Sequence, residues 1–315
     1  MQITEQTLMK EVLVDHLRNV MTNDKDVVLL DADLAKCAGT NVLYKEFPER
    51  CLDVGIAEAN MASIAAGLSS YGFKPYISSF APFATRRMAD QIMISICYAQ
   101  QNVKIIGTDP GIAAELNGGT HMALEDIGML RSIPNILIYE PTDAVELAKA
   151  LPQIHAYPYP CYVRTHRKNP AILTKDSDEV NILKARVMVE GSDVTIVASG
   201  IMVETAMQAA AQLKEEGISV EVVCCPTIKP IDVETIVASA KKTGAVVTAE
   251  NHNVMGALRS AVCEALAENY PVPVESVGVK EKFGEVGKVP YLRKAMNMEV
   301  SDVLNAVRTV LNRKF

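Results

Sequence analysis

The chain has 315 residues, of which 49% are hydrophobic, and a net charge of −7 with no lysine or arginine cluster. It can therefore bury two domains of about 100–200 residues, and nucleic-acid binding is not expected. No basic-then-apolar leader and no apolar run near the roughly 18–20 residues of a membrane span occurs; seven scattered cysteines without a Cys-x-x-Cys pair point to free thiols in a reducing cytoplasm.

Leu8, Val12, Leu13, His16 and Leu17 share one face of a helix predicted over 5–21. Val27–Asp31 reads as a buried parallel strand, apolar until its acidic end. Cys51–Val54 is strand-like, and the small and apolar residues after Glu58 predict a helix over 55–70. Pro75–Phe80, Val103–Gly107, Ile136–Tyr139 and Cys161–Val163 read as further strands, with helices over 84–100, 122–132 and 142–151. A polar stretch, Arg167–Glu179, interrupts the pattern. A second alternation follows, with strands Val194–Ala198, Ser219–Val223, Ala245–Ala249 and Val274–Val279. Its helices are expected over 203–216, 232–241, 254–268 and 299–313.

Strands alternating with helices give an α/β fold: two open, mostly parallel-sheet domains with helices on both faces. The expected division is 1–170, a linker over 171–184, and 185–315. Ligands of such sheets bind beyond the carboxyl ends of the strands. Those ends carry Asp31 and Asp33, Phe80 with Phe83, the 107–121 loop, and Glu140 with Pro141. Glu58 is notable among the acids, because a carboxyl at the head of so apolar a helix needs a partner or holds a proton. By itself it reads more readily as an ordinary first-turn acid favoured by the helix dipole.

Several motifs agree in order. Asp53-Val-Gly-Ile-Ala-Glu58 resembles the glutamate motif of transketolase-type, thiamine-diphosphate-dependent enzymes. Asp31-Ala-Asp33, Ser79-Phe80-Ala-Pro-Phe83-Ala-Thr-Arg86-Arg87 and Gly118-Gly-Thr-His121 resemble further family segments. In the second half, Ala249-Glu-Asn-His252 and Lys282-Phe-Gly-Glu also match. No Gly-Asp-Gly signature of the diphosphate-binding domain occurs. The chain thus resembles the C-terminal subunit of a split transketolase.

The resemblance implies thiamine diphosphate as cofactor, shared with a separate N-terminal, diphosphate-binding subunit that would hold Mg²⁺; no metal is assigned to this chain. It implies a homodimer or heterotetramer acting on sugars or sugar phosphates. Glu58 would hydrogen-bond the pyrimidine and favour its imino tautomer, which removes the thiazolium proton, so a carboxyl able to share a proton suits the role. Phe83, with Phe80 nearby, would stack on the aminopyrimidine, although two core aromatics would look the same. Asp33 and Arg86 fall at cofactor-pocket positions. His121 corresponds to a catalytic histidine near substrate hydroxyls, or it caps the next helix.

Cys37, Asp109, Asn117, His121 and Arg167 form the implied substrate set. Arg167 stands where a phosphate-binding arginine is placed; Arg164 and Arg167 read otherwise as solvated linker residues. Asp109 replaces a common histidine, Asn117 an aspartate, Cys37 a serine and Arg86 a tyrosine, which puts pentose-phosphate substrates in doubt. His252 reads as structural or interfacial, and Asp232 and Glu234 as first-turn acids. Ala62, Ser63, Ala66 and Gly67 offer a small-residue face for a dimer contact or for packing within the domain. The implied activity is transfer of a two-carbon ketol unit from a ketose to an aldose. The alternatives are a relative of 1-deoxyxylulose-5-phosphate synthase or of a 2-oxo acid dehydrogenase beta subunit, and a non-catalytic scaffold.

Overall fold

The computed structural model describes residues 3–166 and 170–314. Two sheets carry the architecture. The first is built on β1 (Val27–Asp31), β2 (Cys51–Asp53), β3 (Lys74–Phe80), β4 (Lys104–Thr108), β5 (Leu137–Tyr139) and β6 (Cys161–Thr165). The second contains β7 (Arg186–Val189), β8 (Val194–Ala198) and β9 (Val220–Cys224), with β11 (Val246–Asn253) and β12 (Val274–Val279). Between them in sequence, β10 (Thr227–Lys229) leaves the second half of the chain and pairs antiparallel with the edge of β5. The strand orders are β10-β5-β6-β4-β3-β1-β2 and β12-β11-β8-β9-β7. All pairings are parallel except those of β10 with β5 and β7 with β9.

The parallel strands are apolar because both faces are covered by helices. β1, β6, β8 and β9 are buried along their whole length. On one side of the first sheet the helices Met9–Asn23 and Ala144–Ala156 pack on β1 and β5 through Leu13, Leu17, Leu147 and Leu151. On the other, the helix Glu58–Ser70 buries Met61, Ala62, Ala65 and Ala66. One apolar core joins the two halves: Ile138 of β5 and Ile228 of β10 share a cluster with Val223 and Val262. β10 therefore protects a sheet edge and ties the halves together.

Three features depart from the periodicity. The helix expected over 84–100 is split into a 3₁₀ turn, Arg86–Met88, a short α segment, Ala89–Gln91, and a π-helical stretch, Ile92–Tyr98. A π turn takes up an extra residue in the helical count, and apolar spacing alone does not reveal it. The helix expected over 122–132 shortens to Asp126–Arg131. β7, β10 and the helix Val289–Ala295 are too short to register as periodic patterns. The predicted small-residue face also divides: Ala62 and Ala66 are buried inside the chain, while Ser63 and Gly67 point outward. No helix among the described residues is long and apolar enough to cross a membrane.

Candidate active site

The C-terminal ends of β1 to β4 gather the candidate residues. β1 ends in Asp31, whose buried carboxylate accepts from the amides of Ala32 and Leu34 and from Thr40 Oγ1. Burial pushes its pKa up to about 6. This turn puts Asp33 in the left-handed region at φ +58°, which aspartate tolerates. Asp33 is exposed, and its amide donates to Asp53 Oδ1 at the end of β2. Cys37 is also exposed.

After β2 the chain turns through Gly55, at φ +72°, into the helix headed by Glu58. That helix has no capping side chain at Ala57, so the only acid of its first turn is Glu58 itself. Glu58 is 4% exposed, and its Oε1 accepts from Arg87 Nη1 at 2.9 Å. The Arg87 guanidinium in turn lies over the Phe83 ring, 3.8 Å from its centroid.

Phe83 belongs to an aromatic cluster. Its ring centroid is 6.2 Å from that of Phe80 and 5.1 Å from that of His121, and Phe80 and His121 are 5.8 Å apart. All three pairs meet edge to face, the arrangement that ring quadrupoles favour. Phe80 ends β3, Phe83 sits in the next turn, and His121 closes the loop after β4. His121 Nδ1 shares a hydrogen bond of 3.0 Å with Thr120 Oγ1. Arg86 pins the same loop, donating to the Thr120 carbonyl at 2.8 Å and pairing with Glu125 at 2.9 Å. Glu58, Phe80, Phe83, Arg86 and His121 thus converge, with Arg87 among them.

The remaining predicted residues lie elsewhere around this centre. Asn117 is exposed. Asp109 is buried at φ +53° and helps to line a cavity of about 120 Å³ with His166, Ile201, Glu204, Val289 and Arg293. His166 Nε2 has no hydrogen-bond partner among the described residues. Burial, with Arg164 and Arg293 nearby, pushes its pKa down to about 3, so the ring is neutral. Arg167 lies outside the described residues. Glu140, grouped with the strand ends by its position, does not face the centre, because it is fully buried with Arg164.

Arg164 is not a solvated linker residue. It is buried completely and donates to Asp126 at 2.8 Å, to Glu140 at 2.6 Å and to the Ala123 and Asn251 carbonyls. Tyr162 also donates to Asp126, and Ser199 to Glu140. His252 lies 3.5 Å from Asp126, and burial lowers its pKa to about 4, which keeps it neutral. Asp232 is the N-cap of the helix Val233–Thr243 and accepts from Thr235, and Glu234 lies in that helix's first turn.

The second half of the chain also shapes the 109–121 loop directly. Asn251 Oδ1 accepts from the Ile112 amide, and its Nδ2 donates to the Pro110 carbonyl, both at 3.0 Å. Gly119 and Gly284 touch so closely that a side chain at Gly119 would collide with the Gly284 backbone. Among the described residues no group of three His, Cys, Asp or Glu side chains is arranged to hold a metal ion.

Residues 5–171 match the pyrimidine-binding domain of transketolase, and residues 183–303 match the transketolase C-terminal domain. The chain belongs to the transketolase family. It is 45% identical over 98% of its length to the 6-deoxy-6-sulfo-D-fructose transketolase subunit SqwH of Clostridium sp. (strain MSTE9), covering 96% of that protein. It is 36% identical over 87% of its length to an apulose-4-phosphate transketolase subunit of Phocaeicola vulgatus, covering 88% of it. Among solved structures it superposes with a TM-score of 0.89 and 40% identity on a split-gene transketolase, an inactive β4 tetramer, with 98% and 99% of the two chains covered. With its pyrimidine-binding and C-terminal domains, the chain is the C-terminal subunit of a split transketolase. Arg87 and Asn251 stand within the sequence motifs, but sequence reasoning gave neither a role. Adjacent arginines offered no sign of which would face Glu58, and an asparagine beside a histidine in the second half gave no hint that it holds a loop of the first.

Proposed function

We propose that this transketolase chain supplies the pyrimidine end of a thiamine diphosphate site and moves a two-carbon ketol unit from a ketose to an aldose, together with a diphosphate-binding subunit. The observation that carries this reading is that one side chain, Arg87, touches both a nearly buried carboxylate, Glu58, and the face of Phe83. An aminopyrimidine is flat, apolar on its faces and polar at its edge, so it fits a wall of Phe80, Phe83 and His121 with a carboxyl at one side. When bound, thiamine diphosphate supplies the carbon nucleophile that carries the two-carbon unit. Glu58 holds a proton at the pyrimidine edge. Phe83 supports the ring, and Phe80 keeps water from it. His121, held by Thr120 through Nδ1, keeps Nε2 for a proton at a sugar oxygen. We assign Mg²⁺ to the partner subunit.

We further propose a donor ketose modified at its far end, with a sulfonated sugar first, because the 45% identical relative is named for 6-deoxy-6-sulfo-D-fructose. Asp33, Cys37, Asp109, Asn117 and Arg167 remain the proposed pocket and substrate set. The division at 1–170, 171–184 and 185–315, assembly as a homodimer or heterotetramer, and a cytoplasmic setting belong to the same reading. Reconstitution with a diphosphate-binding transketolase subunit tests it. The complex should transfer two carbons from 6-deoxy-6-sulfo-D-fructose, or failing that from fructose 6-phosphate, to an aldose phosphate. Carbon dioxide release from pyruvate, with no transfer from a ketose, would refute it.

A further inference from the structure

Arg87 brings to this site the two features that would recognise an aminopyrimidine. Its guanidinium is planar and delocalised, and it carries N–H donors at its edge. Its Cζ lies over the Phe83 ring, 3.8 Å from the centroid, and its Nη1 donates to Glu58 Oε1 at 2.9 Å. A flat ring that stacked on this face of Phe83 and bonded Glu58 would occupy the same space. Neighbouring Arg86 does not compete for this position, because Glu125 and the Thr120 carbonyl hold it.

The two partners differ in burial. Glu58 is 4% exposed, whereas the Arg87 side chain is 46% exposed. The carboxylate is fixed by the helix it heads, while the guanidinium has open solvent into which it can swing. A carboxylate this buried is costly without a compensating charge, and Arg87 provides that charge.

We propose that Arg87 is an internal plug: in the chain without cofactor its guanidinium takes the seat of the aminopyrimidine, and the cofactor enters only by displacing it. This rests on the assignment of Glu58 and Phe83 to the pyrimidine. The apparent affinity for the ring is reduced by the fraction of molecules in which the seat is free, so removing the plug restores it.

The probe is 4-amino-5-hydroxymethyl-2-methylpyrimidine, titrated into the full chain and followed by calorimetry and by the Arg side-chain Nε–H signals in ¹⁵N NMR. With nine in ten seats plugged, Arg87→Ala binds the probe about tenfold more tightly than the wild type. Arg87→Lys, which keeps the charge but loses the plane, falls between them and covers the case in which the alanine variant fails to fold. In the wild type, saturation moves one arginine signal, absent from Arg87→Ala, out of the ring-current field of Phe83. Equal or weaker binding by both variants, binding that leaves that signal unmoved, or no binding to any of the three chains would overturn the plug. Adding Glu58→Ala to Arg87→Ala separates the premises. If the double variant keeps the tight binding, the seat has been misassigned. If Glu58→Ala alone abolishes probe binding while Arg87→Ala leaves it at the wild-type level, the seat stands and the plug falls.

Discussion

Among the arginines that pair with carboxylates, Arg164 and Arg87 differ most in their surroundings. Arg164 is wholly buried, faces two carboxylates and two carbonyls, and is shared by both halves of the chain. Arg87 is half-exposed, faces one carboxylate, and rests on an aromatic ring. The first arrangement is closed to solvent and bonds residues of both halves, so it locks the halves together. The second pairs a fixed acid with a movable base, as a site that must accept a ligand requires. An ion pair marks function here through what it leaves unfilled, and its strength is a poor guide.

The contrast can be broken at either end. The largest effect is expected at Glu58. Glu58→Gln in the assembled enzyme should lower turnover about 10²–10⁴-fold while the denaturation midpoint stays close to that of the wild type; near-normal turnover would remove Glu58 from the mechanism. Arg164→Met should do the reverse. It leaves Asp126 and Glu140 buried without their charge and should cost about 3–5 kcal/mol in urea or guanidinium unfolding, whereas a change within the error of the extrapolation would mean that the cluster is dispensable.

A smaller effect is expected at Asn251. Its replacement by alanine frees the Ile112 amide and the Pro110 carbonyl. The cost should be about 1–3 kcal/mol, with KM rising more than kcat falls, because the residue positions a loop and touches no reacting atom. Unchanged KM would count against that role.

His252 sharpens the contrast through pH. Its folded pKa is lowered to about 4 from an ordinary value of 6.5, chiefly by burial. The unfolded chain therefore binds the extra proton between these values, and this contribution to stability is lost as pH falls from about 6.5 toward about 4. The stability difference between the wild type and His252→Gln should grow as pH rises through this window; a constant difference would show that the ring does not titrate on unfolding. The smallest effect belongs to Arg86, whose pair with Glu125 is partly solvated. Arg86→Ala should change stability by less than about 1 kcal/mol, measured in the same denaturation experiment.

The alternation of apolar strands with helices was legible because both faces of a parallel sheet are covered, which leaves continuous runs such as Val27–Asp31. Glu58, Phe83 and His121 stand in motifs that are local in sequence, so their gathering beyond the carboxyl ends of β2, β3 and β4 followed from the parallel order. Less local features were hidden. The Arg164 cluster joins residues as distant in sequence as Asp126 and His252, and no periodicity encodes that. β10 crosses to the other sheet in only three residues, too few to show alternation. The π-helical stretch carries an apolar pattern that an ordinary helix would share. Which of two adjacent arginines faces Glu58 depends on a 3₁₀ turn at Arg86–Met88 that breaks the expected helix.

The most direct test of the central claim is cofactor binding with and without the second subunit. Near-ultraviolet circular dichroism, with thiamine diphosphate and Mg²⁺ titrated in, reports a stacked pyrimidine. The signal should be weak for this chain alone, strong when a diphosphate-binding transketolase subunit is added, and absent when the added subunit meets Glu58→Ala. A strong Mg²⁺-dependent signal from this chain alone, or a signal from the complex that survives Glu58→Ala, would contradict the account.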